Sequence, residues 1–159
     1  MTPEQAVCYR RMLAVGMTDP YQRDLGFALE KEDPLSDLLL DLALCLSDTR
    51  QTVLILDDYI GICAVDEAKI HNMICAEMQK SYRNGSMDLL QIAETMFAIL
   101  LRAGIWNEKA WQELRCLYYE YDEVKAGYWD MDHFLDSFSE YLFHKKERSA
   151  CDDRDRRSI

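Results

Sequence analysis

Apolar side chains recur every three or four residues along nearly the whole chain, and this spacing constrains the fold more than any other feature. In the stretch "MDHFLDSFSEYLF", Met131, Phe134, Leu135, Phe138, Tyr141 and Leu142 fall on one face of a helix. The stretch before it does the same with Trp111, Leu114, Leu117, Tyr118, Tyr121 and Val124. Leu35, Leu38, Leu39, Leu42 and Leu46 make a wide stripe nearer the N-terminus, and Ile70, Met73, Ile74 and Met78 keep the period in the middle. A helix repeats about every 3.6 residues and a strand every two, so these runs specify helices. The three prolines and six glycines are few for a loop-rich or all-β fold.

Start and stop signals bracket the runs. Thr2, Pro3 and Gln5 have capping-box spacing with proline at the first helical position, and Gly16 is a stop. Asp33-Pro34 opens the leucine-rich segment. Asp66 caps a long run that Asn84-Gly85 ends; Ser86 caps the next, which ends at Gly104. Asn107 and Gly127 bracket a further run, and Asp130 caps the last. Residues 48–60 are ambiguous, because "TVLIL" would also suit a short buried strand. A lone strand among helices has no partner, so a helix is expected there. The expected fold is an all-α, single-domain bundle of about seven helices with short loops, over residues 1–148. Residues 34–46, 87–103 and 131–144 are expected among its most buried elements. Residues 149–159, "SACDDRDRRSI", are polar and expected to be a frayed tail.

Charge narrows the function classes. The chain has 29 acidic against 18 basic residues, a formal net charge of −11, spread over both halves. Such a field repels phosphate backbones, which argues against direct nucleic-acid binding, and it repels anionic lipid surfaces as well. It attracts a basic protein partner. No run of about 18 apolar residues is present to cross a membrane.

The six cysteines, at positions 8, 45, 63, 75, 116 and 151, include no Cys-x-x-Cys pair, so a structural zinc site is not expected. Most lie in apolar stretches, and the chain begins "MTPEQAVCYRR" without an apolar leader. Free thiols in a reducing cytoplasm are the expectation.

Two groups of residues carry candidate chemistry. The first is acidic. Asp132, Asp136 and Glu140 stand at successive four-residue steps, where like charges cost a helix a few tenths of a kcal/mol per pair. Only Asp132, in the first turn, gains from the helix dipole. Glu120, Asp122 and Glu123 on the preceding helix would widen this face. Tyr119, Tyr128 and Trp129 fall off the core stripe nearby, where they would suit a cationic group. The second group is a weak metal-ligand set: Glu67 and His71 one helical turn apart, with Asp57 and Asp58 ahead of them. Asp130, Asp132, His133 and Asp136 have helical spacing rather than that of a metal cage. Cys75, with His71 one turn earlier, sits in apolar surroundings that suit an inert thiol. Nucleophile-elbow and phosphate-loop motifs are absent from the sequence.

The composition and these residues fit a non-enzymatic, acidic helical protein-interaction module that needs no cofactor. An inhibitor, an immunity-type protein or a regulator that binds a basic protein has this size and charge. The alternative is a small metal-dependent all-helical enzyme, hydrolase-like, that holds a divalent ion on Asp57, Asp58, Glu67 and His71.

Overall fold

The computed structural model of the chain describes residues 1–61 and 63–148, with side chains described through Phe143. Its described residues form eight α-helices and one short 3-10 turn, with no strand. The fold is all-helical, with one helix more than the expected seven. The expected tail at 149–159 lies outside the described residues.

Residues 49–60 form helix α4 (Thr49–Ile60) and not a strand. Asp48 starts it, its carboxylate accepting the Gln51 N–H at 3.1 Å. Helix α1 (Pro3–Ala14) opens with the expected capping box. The Thr2 hydroxyl accepts from the Gln5 N–H, and the Gln5 side chain accepts from the Thr2 N–H. Asp66 caps helix α5 (Glu67–Arg83) through the Ala68 and Lys69 N–H groups.

Three starts differ from the sequence reading. Helix α3 (Asp37–Leu44) begins after Ser36, not at Pro34, because the Ser36 hydroxyl accepts the Leu39 N–H. Helix α6 (Leu89–Arg102) is capped by Asp88, not Ser86. Asp88 forms a full capping box with Gln91, whereas the Ser86 hydroxyl turns back to the Ser81 carbonyl. Helix α7 (Gln112–Lys125) starts after a 3-10 turn at Lys109–Trp111, not at Asn107.

The chain divides into two compact units, Met1–Glu77 and Met78–Ile159, and the division falls within α5. In the first, α1 lies on α4 and on α2 (Asp19–Lys31), and α3 contacts both α2 and α4. Its core holds Met12, Leu25, Leu39, Leu42, Leu56, Ile70 and Ile74. Residues 34–46 are not among the most buried segments, contrary to expectation. Leu39 and Leu42 are buried, but Leu40, Leu44 and Leu46 are exposed.

In the second unit, α6, α7 and α8 (Met131–Arg148) pack together around Phe97. The Phe97 ring meets Tyr118, Tyr121, Phe134 and Phe138 at centroid distances of 5.4–6.3 Å. The aromatic stripes of α7 and α8 are thus largely core, as their spacing indicates. Residues 87–103 and 131–143 are well buried, with Ile92, Met96, Leu100, Phe134 and Phe138 inaccessible or nearly so. None of the described helices is long and apolar enough to cross a membrane.

Candidate functional site

The candidate surface is built by α7, α8 and the turn between them. Helix α7 ends where Gly127 takes a positive φ of 85°, a conformation costly for other residues. The Gly127 N–H then reaches the Val124 carbonyl and the Tyr128 N–H the Glu123 carbonyl, each at 3.0 Å. This closure turns the chain so that α8 packs back on α7, with the Tyr121 and Phe134 rings 5.2 Å apart. The core face of each helix is thereby fixed, and the acids lie on the other side.

Glu120, Asp122 and Glu123 of α7 are exposed, as are Asp132, Asp136 and Glu140 of α8. All six candidate acids therefore belong to one helix pair. Asp122 has a cation of its own, Lys125, at 3.0 Å. Asp130 joins them at the turn, where its carboxylate accepts the Asp132 N–H at 3.3 Å.

Aromatic rings stand among these acids. Tyr128 is 80% exposed and Trp129 57%. The Trp129 ring is stacked on His133, 6.1 Å between centroids and 23° between planes, which fixes its orientation at the start of α8. On α7, Tyr119 is exposed next to Glu120 and one turn before Glu123, and it touches Trp106 edge-on at 5.6 Å. Tyr119 lies midway along α7, whereas Tyr128 and Trp129 lie in the turn past its C-terminal end.

The metal-ligand set has a different fate. Asp57 receives the Arg10 guanidinium at 2.9 and 3.4 Å. Glu67 receives Arg11 in a two-pronged bond of 2.7 and 2.8 Å. Asp58 is exposed. His71 is 1% exposed, with its ring nitrogens 3.7 Å from the Cys75 sulfur. Arginines at positions 10 and 11 of α1 thus draw Asp57 and Glu67 into ion pairs, and the four candidates do not converge. Among the described residues, no group of three or more His, Cys, Asp or Glu side chains is arranged to hold a metal ion. That includes Asp130, Asp132, His133 and Asp136.

Elsewhere in the first unit the buried Cys8 thiol is pushed up to about 12, by burial first and then by Glu77. The Tyr9 hydroxyl, buried and bonded to Asp24 at 2.7 Å, is raised as well. Both groups stay protonated at neutral pH and offer no nucleophile.

The sequence reading missed the exposed leucines of α3. Their signal was present in "DLLLDLAL", where leucines outnumber the positions that one core-facing stripe can use. No family model, curated protein or solved structure matches the chain.

Proposed function

We propose that the protein is a non-enzymatic interaction module that binds a basic protein through the acidic face of α7 and α8. The observation that carries this reading is the exposure of all six candidate acids on one helix pair, with exposed aromatic rings among them. A helix that accepts Asp132, Asp136 and Glu140 one turn apart bears a small repulsive cost. Positive charge on a partner offsets that cost. Tyr119, Tyr128 and Trp129 add ring faces for arginine or lysine side chains and apolar area that acids alone lack. An inhibitor, immunity-type or regulatory protein uses a surface of this kind to engage a cationic target.

The test uses a lysine- and arginine-rich peptide as probe and the triple variant D132K/D136K/E140K. A second variant, D19K/E30K/E32K, makes the same change in net charge on exposed positions of α2 and the residue just after it. The reading expects the α8 variant to lose most of the binding and the α2 variant to lose little. Equal losses from both would reduce the effect to net charge and remove the site. Binding that ignores both variants would remove the reading.

A further inference from the structure

Helix α3 is the most apolar helix of the first unit, yet two of its five leucines face solvent. It reads Asp-Leu-Leu-Leu-Asp-Leu-Ala-Leu over Asp37–Leu44. Leu39 and Leu42 are completely buried and hold the helix to its unit. Leu40 is 44% exposed and Leu44, one turn on, 85%; Leu46, just past the helix end, is 47% exposed. Helices α2 and α4 contact α3 without covering these side chains. A helix that is apolar on nearly all sides is normally buried, so a contiguous exposed face of this kind marks a contact surface.

Its charges select the occupant. Asp37 and Asp41 are exposed and flank Leu40, three residues before it and one after, and Asp41 lies one turn before Leu44. Asp33 and Asp48, also exposed, extend the acidic rim at either end. A second copy of the chain is a poor fit. In parallel or antiparallel pairing, the acids of one α3 would meet only acids or leucines of the other, and two chains of net charge −11 repel at longer range. A helix with apolar anchors on one stripe and lysine or arginine beside them satisfies both features. The leucines enter its stripe, and Asp37 and Asp41 meet its flanking cations.

We propose that Leu40 and Leu44 of α3, framed by Asp37 and Asp41, form a docking site for a basic amphipathic helix of another protein. This goes beyond the binding reading of the α7–α8 face and does not depend on it. An eight-residue helix is about 12 Å long, so the footprint matches about two turns of the incoming helix.

The test places the full chain, with labelled leucine methyl groups, against two synthetic amphipathic peptides of about five helical turns. Both carry leucine at helical spacing; one has lysine on its flanks, the other glutamate. The lysine peptide should shift the Leu40 and Leu44 methyl signals, and the glutamate peptide should not. L40S/L44S, which leaves the buried Leu39 and Leu42 in place, should weaken binding of the lysine peptide at least about tenfold. If the double variant unfolds, the single change L44S at the most exposed position replaces it, and the wild-type methyl shifts remain an independent readout. Two results would overturn the proposal. One is lysine-peptide binding that leaves the Leu40 and Leu44 signals unmoved. The other is concentration-dependent dimerisation, seen by sedimentation, that L44S abolishes, since a second copy would then occupy the face. The D132K/D136K/E140K variant separates the two surfaces. It should leave the Leu40 and Leu44 shifts intact even if it removes all binding at α8.

Discussion

Cys116 and Cys8 stand at opposite extremes of exposure among the thiols of the described residues. Cys116 is exposed on α7, whereas Cys8 is 1% exposed and its thiol is held protonated to about pH 12, chiefly by burial. Cysteines 8, 45, 63, 75 and 116 form no disulfide among the described residues, and Cys151 lies outside them. A thiol reagent at neutral pH should therefore label Cys116 quickly and should reach Cys8 and Cys75 only when the first unit opens. Time-resolved mass spectrometry checks this, and rapid native labelling of Cys8 would contradict its burial. Tyr121 gives a second prediction at this scale. Its hydroxyl donates to Glu94 at 2.5 Å, and that bond first, then burial, pushes its pKa up to about 12. The folded state thus holds this proton more tightly than the unfolded state, whose tyrosines titrate near about 10. The stability that Tyr121 contributes is complete below pH about 10 and is lost as pH rises toward about 12. Denaturant melts of wild type and Y121F should show the wild-type advantage shrinking across that window. A constant difference would mean that the Glu94 bond does not favour the protonated phenol.

The helices themselves were largely legible in the sequence, because caps and apolar period act locally. Thr2, Asp66 and Asp130 start helices as their side-chain chemistry dictates; the "TVLIL" segment was expected as helix for want of a partner strand, and Asp48, not singled out in the sequence, caps it. Ser86 failed as a cap because Asp88, two residues later, offers a carboxylate with a Gln91 partner at the right spacing. Period alone could not say which leucines of α3 turn inward, since nearly every position there is apolar. The choice falls to contacts with α2 and α4, which are remote in sequence. The metal-ligand set was misleading for a related reason. Spacing places Glu67 and His71 on one helix face, but the partner that claims Glu67 is Arg11, 56 residues away. The acidic positions of α7 and α8 were legible because the aromatic stripes fix the opposite face. Helix α8 can be tested through that stripe. Phe138 is fully buried against Phe97, Phe134 and Tyr141, so Phe138→Ala removes a ring from a filled space. Its cost should be about 3–5 kcal/mol in equilibrium unfolding, and a loss under about 1 kcal/mol would show that the stripe is not core.

At the scale of the whole chain, the net charge of −11 acts on folding and on association with opposite salt dependence. Like charges crowd together only when the chain is compact, so added salt relieves repulsion in the folded state. The same salt weakens ion pairs, but several of those among the described residues stand at the surface. Arg10–Asp57, Arg23–Asp24 and Lys125–Asp122 join side chains more than a third exposed, and such pairs contribute about 0–1 kcal/mol each. Arg11–Glu67 is less exposed, at 10% and 20% for the two side chains, and is screened less. Relief of repulsion should therefore win, and the melting temperature should rise with sodium chloride over the range where the Debye length falls from about 30 to about 8 Å. Association with a lysine- and arginine-rich peptide should move the other way, its on-rate falling over the same range. D132K/D136K/E140K reverses three charges on α8 and changes the net charge from −11 to −5, since each substitution adds two. The variant should melt higher than wild type at low salt and gain less from added salt. It should also associate slowly at every salt concentration. A melting temperature that falls with salt in the wild type would mean that local ion pairs outweigh the repulsion among 29 acids. An on-rate that ignores salt in both proteins would mean that steering plays no part in how the chain meets a basic partner.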